Sequence, residues 1–181
     1  MVLNKQKLLY ELENYVCSHI EYAQYLKTIP EEELQKKRKK TSWSILECIE
    51  HLNRYAAFYN EEIDKRIRTS RHQNSSEFNP GYLGNKFAID MLPKENMKTM
   101  NTFKSKNPIY SILEKNEVLD SFIGYQNELL ELLKLAKDKN LTKTKTSITL
   151  PLLKFRLGDT FRFVIYHNER HIVQAQKIKK E

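Results

Sequence analysis

The sequence predicts an all-α protein, one bundle domain spanning residues 1–181 and built on four long helices. Three observations predict it. Apolar residues recur at helical spacing in four separate stretches. The chain has only 4 Gly and 5 Pro, too few for a turn-rich β-sandwich or a glycine-built nucleotide fold. Hydrophobic residues make up 40% of its 181 positions, enough for a single core at this length.

The first helix is expected over residues 3–26, where Leu8, Leu12, Tyr15, Val16, Ile20, Ala23 and Leu26 form an apolar stripe that ends before Pro30. His19 falls in or beside that stripe and reads as a core histidine hydrogen-bonded to a neighbour. Residues 31–40 are charged, a connector or a solvated helical extension. The second helix starts at Ser44, because Ser44-Ile45-Leu46-Glu47 fits a capping box and Trp43 before it can pack as a staple. It continues through Cys48, Ile49, His51, Leu52, Tyr55, Phe58, Tyr59, Ile63 and Ile67, with His51 turned toward the interior or its edge.

Residues 68–79 read as a polar loop, and His72 within it is not expected to be a ligand. A short helix over 82–92 stops at Pro93. Residues 94–108 carry Met97, Met100 and Phe103 without a period, an irregular excursion able to cover a pocket mouth. A third long helix is expected over 110–136, with Gly124 inside it a point of close packing. Residues 137–145 are a polar connector. The apolar stretch 147–153 reads as extended, an edge-like crossover with no obvious partner strand. The last helix begins near Asp159, taken as its N-cap after Gly158. Phe161, Ile165, Ile172 and Ala175 supply its core face. Val164, His167, His171, Gln174 and Ile178 form an adjacent stripe.

The formal net charge is +8, which raises nucleic acid as a partner. The excess sits in 36–40 and 177–180, runs that suit solvated loops and helix C-termini. No recognised binding motif accompanies them, so nucleic acid is not the expected partner. G-x-G-x-x-G, P-loop and G-x-S-x-G motifs are absent. Cys17 and Cys48 make no disulfide framework and no secretory signal is evident, so a cytoplasmic location is expected. The longest apolar runs fall short of a membrane span.

His167 and His171 stand four residues apart, so on a helix they project from one face. Two imidazoles so placed can close on one metal ion, and a third ligand from elsewhere would complete a set. The segment Trp43-Ser44-Ile45-Leu46-Glu47-Cys48-Ile49-Glu50-His51-Leu52, followed by His167-x-x-x-His171-x-x-Gln174, resembles the DinB/YfiT-like superfamily. That family carries W-[ST]-x-x-E-x-x-x-H-[LI] at its second helix and H-x-x-x-H-x-x-Q in its last. The resemblance covers nearly the whole chain.

It implies an up-down-down-up four-helix bundle with long connections and a divalent metal held by His51, His167 and His171. Similar proteins include low-molecular-weight-thiol S-transferases such as those using bacillithiol, mycothiol-dependent isomerases, and metal-dependent hydrolases. Neutral imidazole suits zinc, nickel or iron(II). A metal with an open position lowers the pKa of a water or thiol that reaches it. A hydrolase would use the water and a transferase a small thiol cofactor; the residues leave both open. Because imidazole must be unprotonated to bind, metal affinity is expected to fall near pH ~6.5.

Glu47 can orient a ligand or serve only its cap. Gln174 can line the pocket or bond within the bundle, and Cys48 reads as a buried structural thiol. The leading expectation is a metal-dependent enzyme for a small-molecule substrate, as a monomer or homodimer. The alternative is a catalytically silent, stress-related bundle binding metal or a small molecule. A basic scaffold for acidic partners is disfavoured by the intact histidines.

Overall fold

The computed structural model describes residues 2–94 and 102–179. Six α-helices dominate them: α1 (Lys5–Lys27), α2 (Glu31–Gln35), α3 (Ile45–Thr69), α4 (Tyr82–Met91), α5 (Lys115–Ala136) and α6 (Leu157–Lys179). Two short antiparallel pairs accompany them. β1 (Leu3–Asn4) pairs with β2 (Glu77–Phe78), and β3 (Lys145–Ser147) with β4 (Lys154–Arg156). The all-α expectation holds. No helix among the described residues is long and apolar enough to cross a membrane.

The four long helices form a helical bundle in which α3 lies against α5 and α6, α1 also lies against α5 and α6, and α4 covers α6. Each start has a local cause. Asn4 Oδ1 accepts the Lys7 amide at the head of α1. At α3 both arms of the capping box are closed, the Glu47 amide donating to Ser44 Oγ and the Ser44 amide to Glu47 Oε2. The core has two clusters. One gathers Leu9, Leu12, Tyr59, Ile63, Leu129 and Phe161; the other gathers Leu26, Leu34, Leu46, Ile49, Phe122 and Ile172. Both α3 and α6 pass from one cluster to the other, at Leu52–Tyr59 and Tyr166–Ile172.

Several boundaries differ from expectation. The third long helix begins at Lys115, not 110, because the Glu114 side chain accepts the Glu117 amide and caps it there. Tyr110 and Ile112 precede it fully exposed. The 147–153 stretch is not an extended crossover: only Ser147 is strand-paired, with Lys154, and the rest is the loop of the β3–β4 hairpin, with Leu152 at φ 65°. Residues 68–79 are not wholly loop, since α3 runs to Thr69 and β2 lies at 77–78. The expectation for Met97 and Met100 lies outside the described residues. The remainder of that excursion forms a single 3-10 turn, Lys104–Lys106, against α3.

Glycine roles also shift. A Cβ at Gly124 would meet nothing within 4 Å, so no close packing occurs there. Tight contacts are instead at Gly84, where a Cβ would stand 2.7 Å from Asp159, and at Gly158, where it would stand 2.6 Å from the fully buried Phe78 ring. We expect Gly158→Ala to destabilise the fold by about 1–3 kcal/mol through overpacking. Urea unfolding would show it as a lower midpoint at unchanged slope.

Asp159 is not the N-cap of α6, which begins two residues earlier. The carboxylate is fully buried, accepting the Gly81 amide at 2.7 Å and Arg162 Nη1 at 3.3 Å. It therefore fastens α4 to α6 rather than ending a helix. Truncation to Ala would leave Arg162, 5% exposed, without its carboxylate and is expected to cost about 3 kcal/mol or more, read as a depressed thermal midpoint.

Candidate metal centre

The site is built from two helices whose starts and packing are already accounted for. The closed capping box sets where α3 begins and so where His51 projects. Packing of α6 against α3 presents His167 and His171 to it. The three side chains converge, with one ligand atom from each within 4.8 Å of the others. Their ring centroids are 5.2 Å apart for His51–His167, 4.6 Å for His51–His171 and 4.7 Å for His167–His171.

Hydrogen bonds decide which nitrogens are bare. A carbonyl can only accept, so His51 donates its Nδ1–H to the Lys106 carbonyl at 2.8 Å, leaving a lone pair on Nε2. His171 donates Nδ1–H to Gln174 Oε1 at 3.0 Å, with the same result. His51 Nε2 and His167 Nε2 stand 3.3 Å apart. Two nitrogens at ordinary zinc–imidazole distance from one tetrahedral centre would be separated by about 3.3 Å. The donor set thus fits a divalent ion, and the partners on the far ring nitrogens are of the kind that orient ligating histidines.

The family model of the DinB superfamily matches residues 20–175. The chain belongs to the DinB superfamily. No curated protein and no solved structure matched it. Within this superfamily member, the three-histidine cluster is compatible with a divalent metal site.

Burial sets the charge state of the cluster. His51 is lowered to about 4, first by burial, with the Lys106 carbonyl opposing and the Arg54 and Lys106 cations adding. His171 is lowered to about 3, by burial and then by His51 and Arg170, against the Gln174 bond. His167 lies well below the usual histidine range, by burial and then by its two histidine neighbours. All three are neutral at pH 7. Proton competition for a metal held here is therefore expected below the pH ~6.5 of unperturbed histidine.

Aromatic rings wall the cluster. Trp43 lies 4.7 Å from His51 and 5.6 Å from His171, and its Nε1 donates to Asn107 Oδ1 at 3.1 Å. Tyr55 is 5.0 Å from both His51 and His167, while Phe163 stacks parallel to His167 at 6.0 Å. The 104–111 segment is tied down beside the cluster. Arg54, paired to Glu50 at 2.8 Å, donates to the Asn107 carbonyl and to Ser111 Oγ, and Lys37 donates to the Ile109 carbonyl.

The other candidate residues fall elsewhere. Glu47 spends its two oxygens on the Ser44 amide and on Lys37 Nζ at 2.6 Å, so it acts on His51 only by placing the helix. Gln174 bonds His171 directly. Cys48 is fully buried among apolar side chains, which pushes its thiol up. His19 is a buried core histidine, its Nε2 3.0 Å from Glu169 Oε2, and His72 is exposed. Trp43, Tyr55 and Phe163 were not anticipated as site walls. Tyr55, one turn after His51, carried a legible signal; the Lys106 carbonyl carried none, since every residue has one.

Proposed function

We propose that this chain is a metal-dependent enzyme for a small molecule, of the low-molecular-weight-thiol S-transferase or hydrolase type. In this reading His51, His167 and His171 hold a zinc, nickel or iron(II) ion within an up-down-down-up four-helix bundle. The observation that carries it is the convergence of three neutral imidazoles, two buried and His171 half-buried, with Nε2 of His51 and His171 bared by a bond at Nδ1. When bound, a divalent ion supplies Lewis acidity that favours the deprotonated form of a water or thiol beside it.

The chain's own groups do the rest. Lys106 O and Gln174 hold two rings in one tautomer. Trp43, Tyr55 and Phe163 exclude bulk water on the flanks, which strengthens electrostatic interactions inside. The two free cysteines, Cys17 exposed and Cys48 buried, suit a reducing cytoplasm.

The test is turnover by metal-loaded protein in two assays. One mixes a small thiol with 1-chloro-2,4-dinitrobenzene; the other offers a nitrophenyl ester without thiol. Acceleration in the first assigns transfer, and acceleration in the second alone assigns hydrolysis. Either must fall to the background rate in His167→Ala. Acceleration that survives that substitution contradicts the assignment.

A further inference from the structure

Two described cations act directly on His51, Arg54 and Lys106, and they differ in one respect. Arg54 is answered by Glu50 at 2.8 Å. The half-buried Lys106 ammonium has no carboxylate within ion-pairing distance among the described residues. Its contacts are the Arg54 carbonyl and the face of Tyr55, 5.5 Å from the ring centroid. An ammonium has three donors, so donors remain after the one bond to that carbonyl. Tyr55 in turn lies 5.0 Å from the rings of both His51 and His167. A charge is thus held beside the histidine cluster with no carboxylate partner among the described residues.

We propose that Lys106 is an anion-recognition residue of the histidine site, and that the small molecule taken there carries a carboxylate or phosphate on an apolar body. This rests on reading the site as one that binds a small molecule. The apolar half follows from the walls: Trp43, Tyr55 and Phe163 offer ring faces and edges, while the ammonium offers a positive charge with no carboxylate partner among the described residues. A charge-assisted hydrogen bond from a half-buried donor is strong enough to select anions over neutral isosteres. Lys37, by contrast, is neutralised by Glu47 at 2.6 Å and is unsuited to the role.

The residue has two separable functions. Its carbonyl serves His51, and its ammonium lies over the Tyr55 ring that borders the histidines. Substitution of the side chain should leave the carbonyl bond, and hence metal binding, intact. Trp43 is the only tryptophan in the chain and lies against His51 and His171, so its emission reports occupancy.

The experiment titrates phenylacetate, and phenylacetamide as its neutral isostere, into the full-length chelated protein while following Trp43 emission. Chelation removes direct carboxylate–metal binding from the signal. Saturable phenylacetate binding is expected in the wild type, weakened on the order of tenfold in Lys106→Gln. Lys106→Arg should retain most of the affinity, and Lys104→Gln should bind as wild type. Phenylacetamide should bind weakly and without regard to Lys106. A parallel metal titration should give the same stoichiometry for Lys106→Gln and wild type, so a failure of the metal reading is seen separately. Equal phenylacetate binding by Lys106→Gln and wild type, or no saturable binding by the wild type, overturns the proposal.

Discussion

Stripping a metal-loaded sample with a chelator is expected to lower its melting temperature by about 10 °C without unfolding it. Metal that binds only the folded chain adds about 4 kcal/mol when its free concentration is a thousandfold above the dissociation constant. For a chain of this length each kcal/mol moves the midpoint by about 2–4 °C. The fold should survive because its core is complete without the ion: Leu12, Leu46, Ile49, Phe122, Phe161 and Ile165 are fully buried in apolar contacts. The gap should persist on acidification. Folded His51 and His171 protonate near about 4 and about 3, so affinity for the folded chain changes little between pH 7 and about 5. It should close only toward pH ~4 and below. His167→Ala should abolish the gap at every pH while the helical spectrum stays the same. A gap that closes near pH 6.5 would contradict the burial described for the cluster.

The chelated protein itself is expected to lose stability as pH falls from about 6.5 toward 4. The sign follows from the depressed values. An unfolded histidine takes a proton near pH ~6.5, whereas the folded cluster holds out to about 4 at His51 and about 3 at His171. Between those limits the unfolded state binds more protons, so stability rises with pH across that window and is lost on acidification. The contribution is fully present above about pH 6.5. For His51 alone the difference is on the order of 3 kcal/mol. Denaturant midpoints measured at intervals from pH 7.5 to 4 check it. His171→Leu should flatten the curve by about one proton, because it removes one of the buried groups that must charge. A metal-free stability curve that is flat from pH 6.5 to 5 would show the imidazoles to be solvated.

Much of this architecture was legible before any coordinates. Long apolar stripes mark α1, α3, α5 and α6, because a helix burying one face repeats every 3.6 residues for several turns. The capping box located the start of α3 within a residue, since two side-chain bonds close only there. The i, i+4 histidines declared a shared face.

What escaped detection had a physical reason. β3 and β4 are three residues each, too short for a period, and β4 runs straight into α6. Tyr110 and Ile112 mimic an apolar face yet stand exposed, because the Glu114 cap starts the helix beyond them. Asp159 has the identity of an N-cap but is buried under Gly81 and Gly84 of the α4 end. The carbonyl that orients His51 is backbone, and no residue type announces it.

The most direct test of the central claim is metal analysis of the protein purified without a histidine tag and dialysed against a weak chelator. Zinc, nickel or iron should be found at about one equivalent per chain, the stoichiometry of a three-imidazole site. The single substitutions His51→Ala, His167→Ala and His171→Ala should each remove it, with far-ultraviolet spectra superimposable on the wild type. His19→Ala and His72→Ala should retain it. Metal content that is negligible in the wild type even after reloading, or that survives loss of any one of the three histidines, would contradict the assignment.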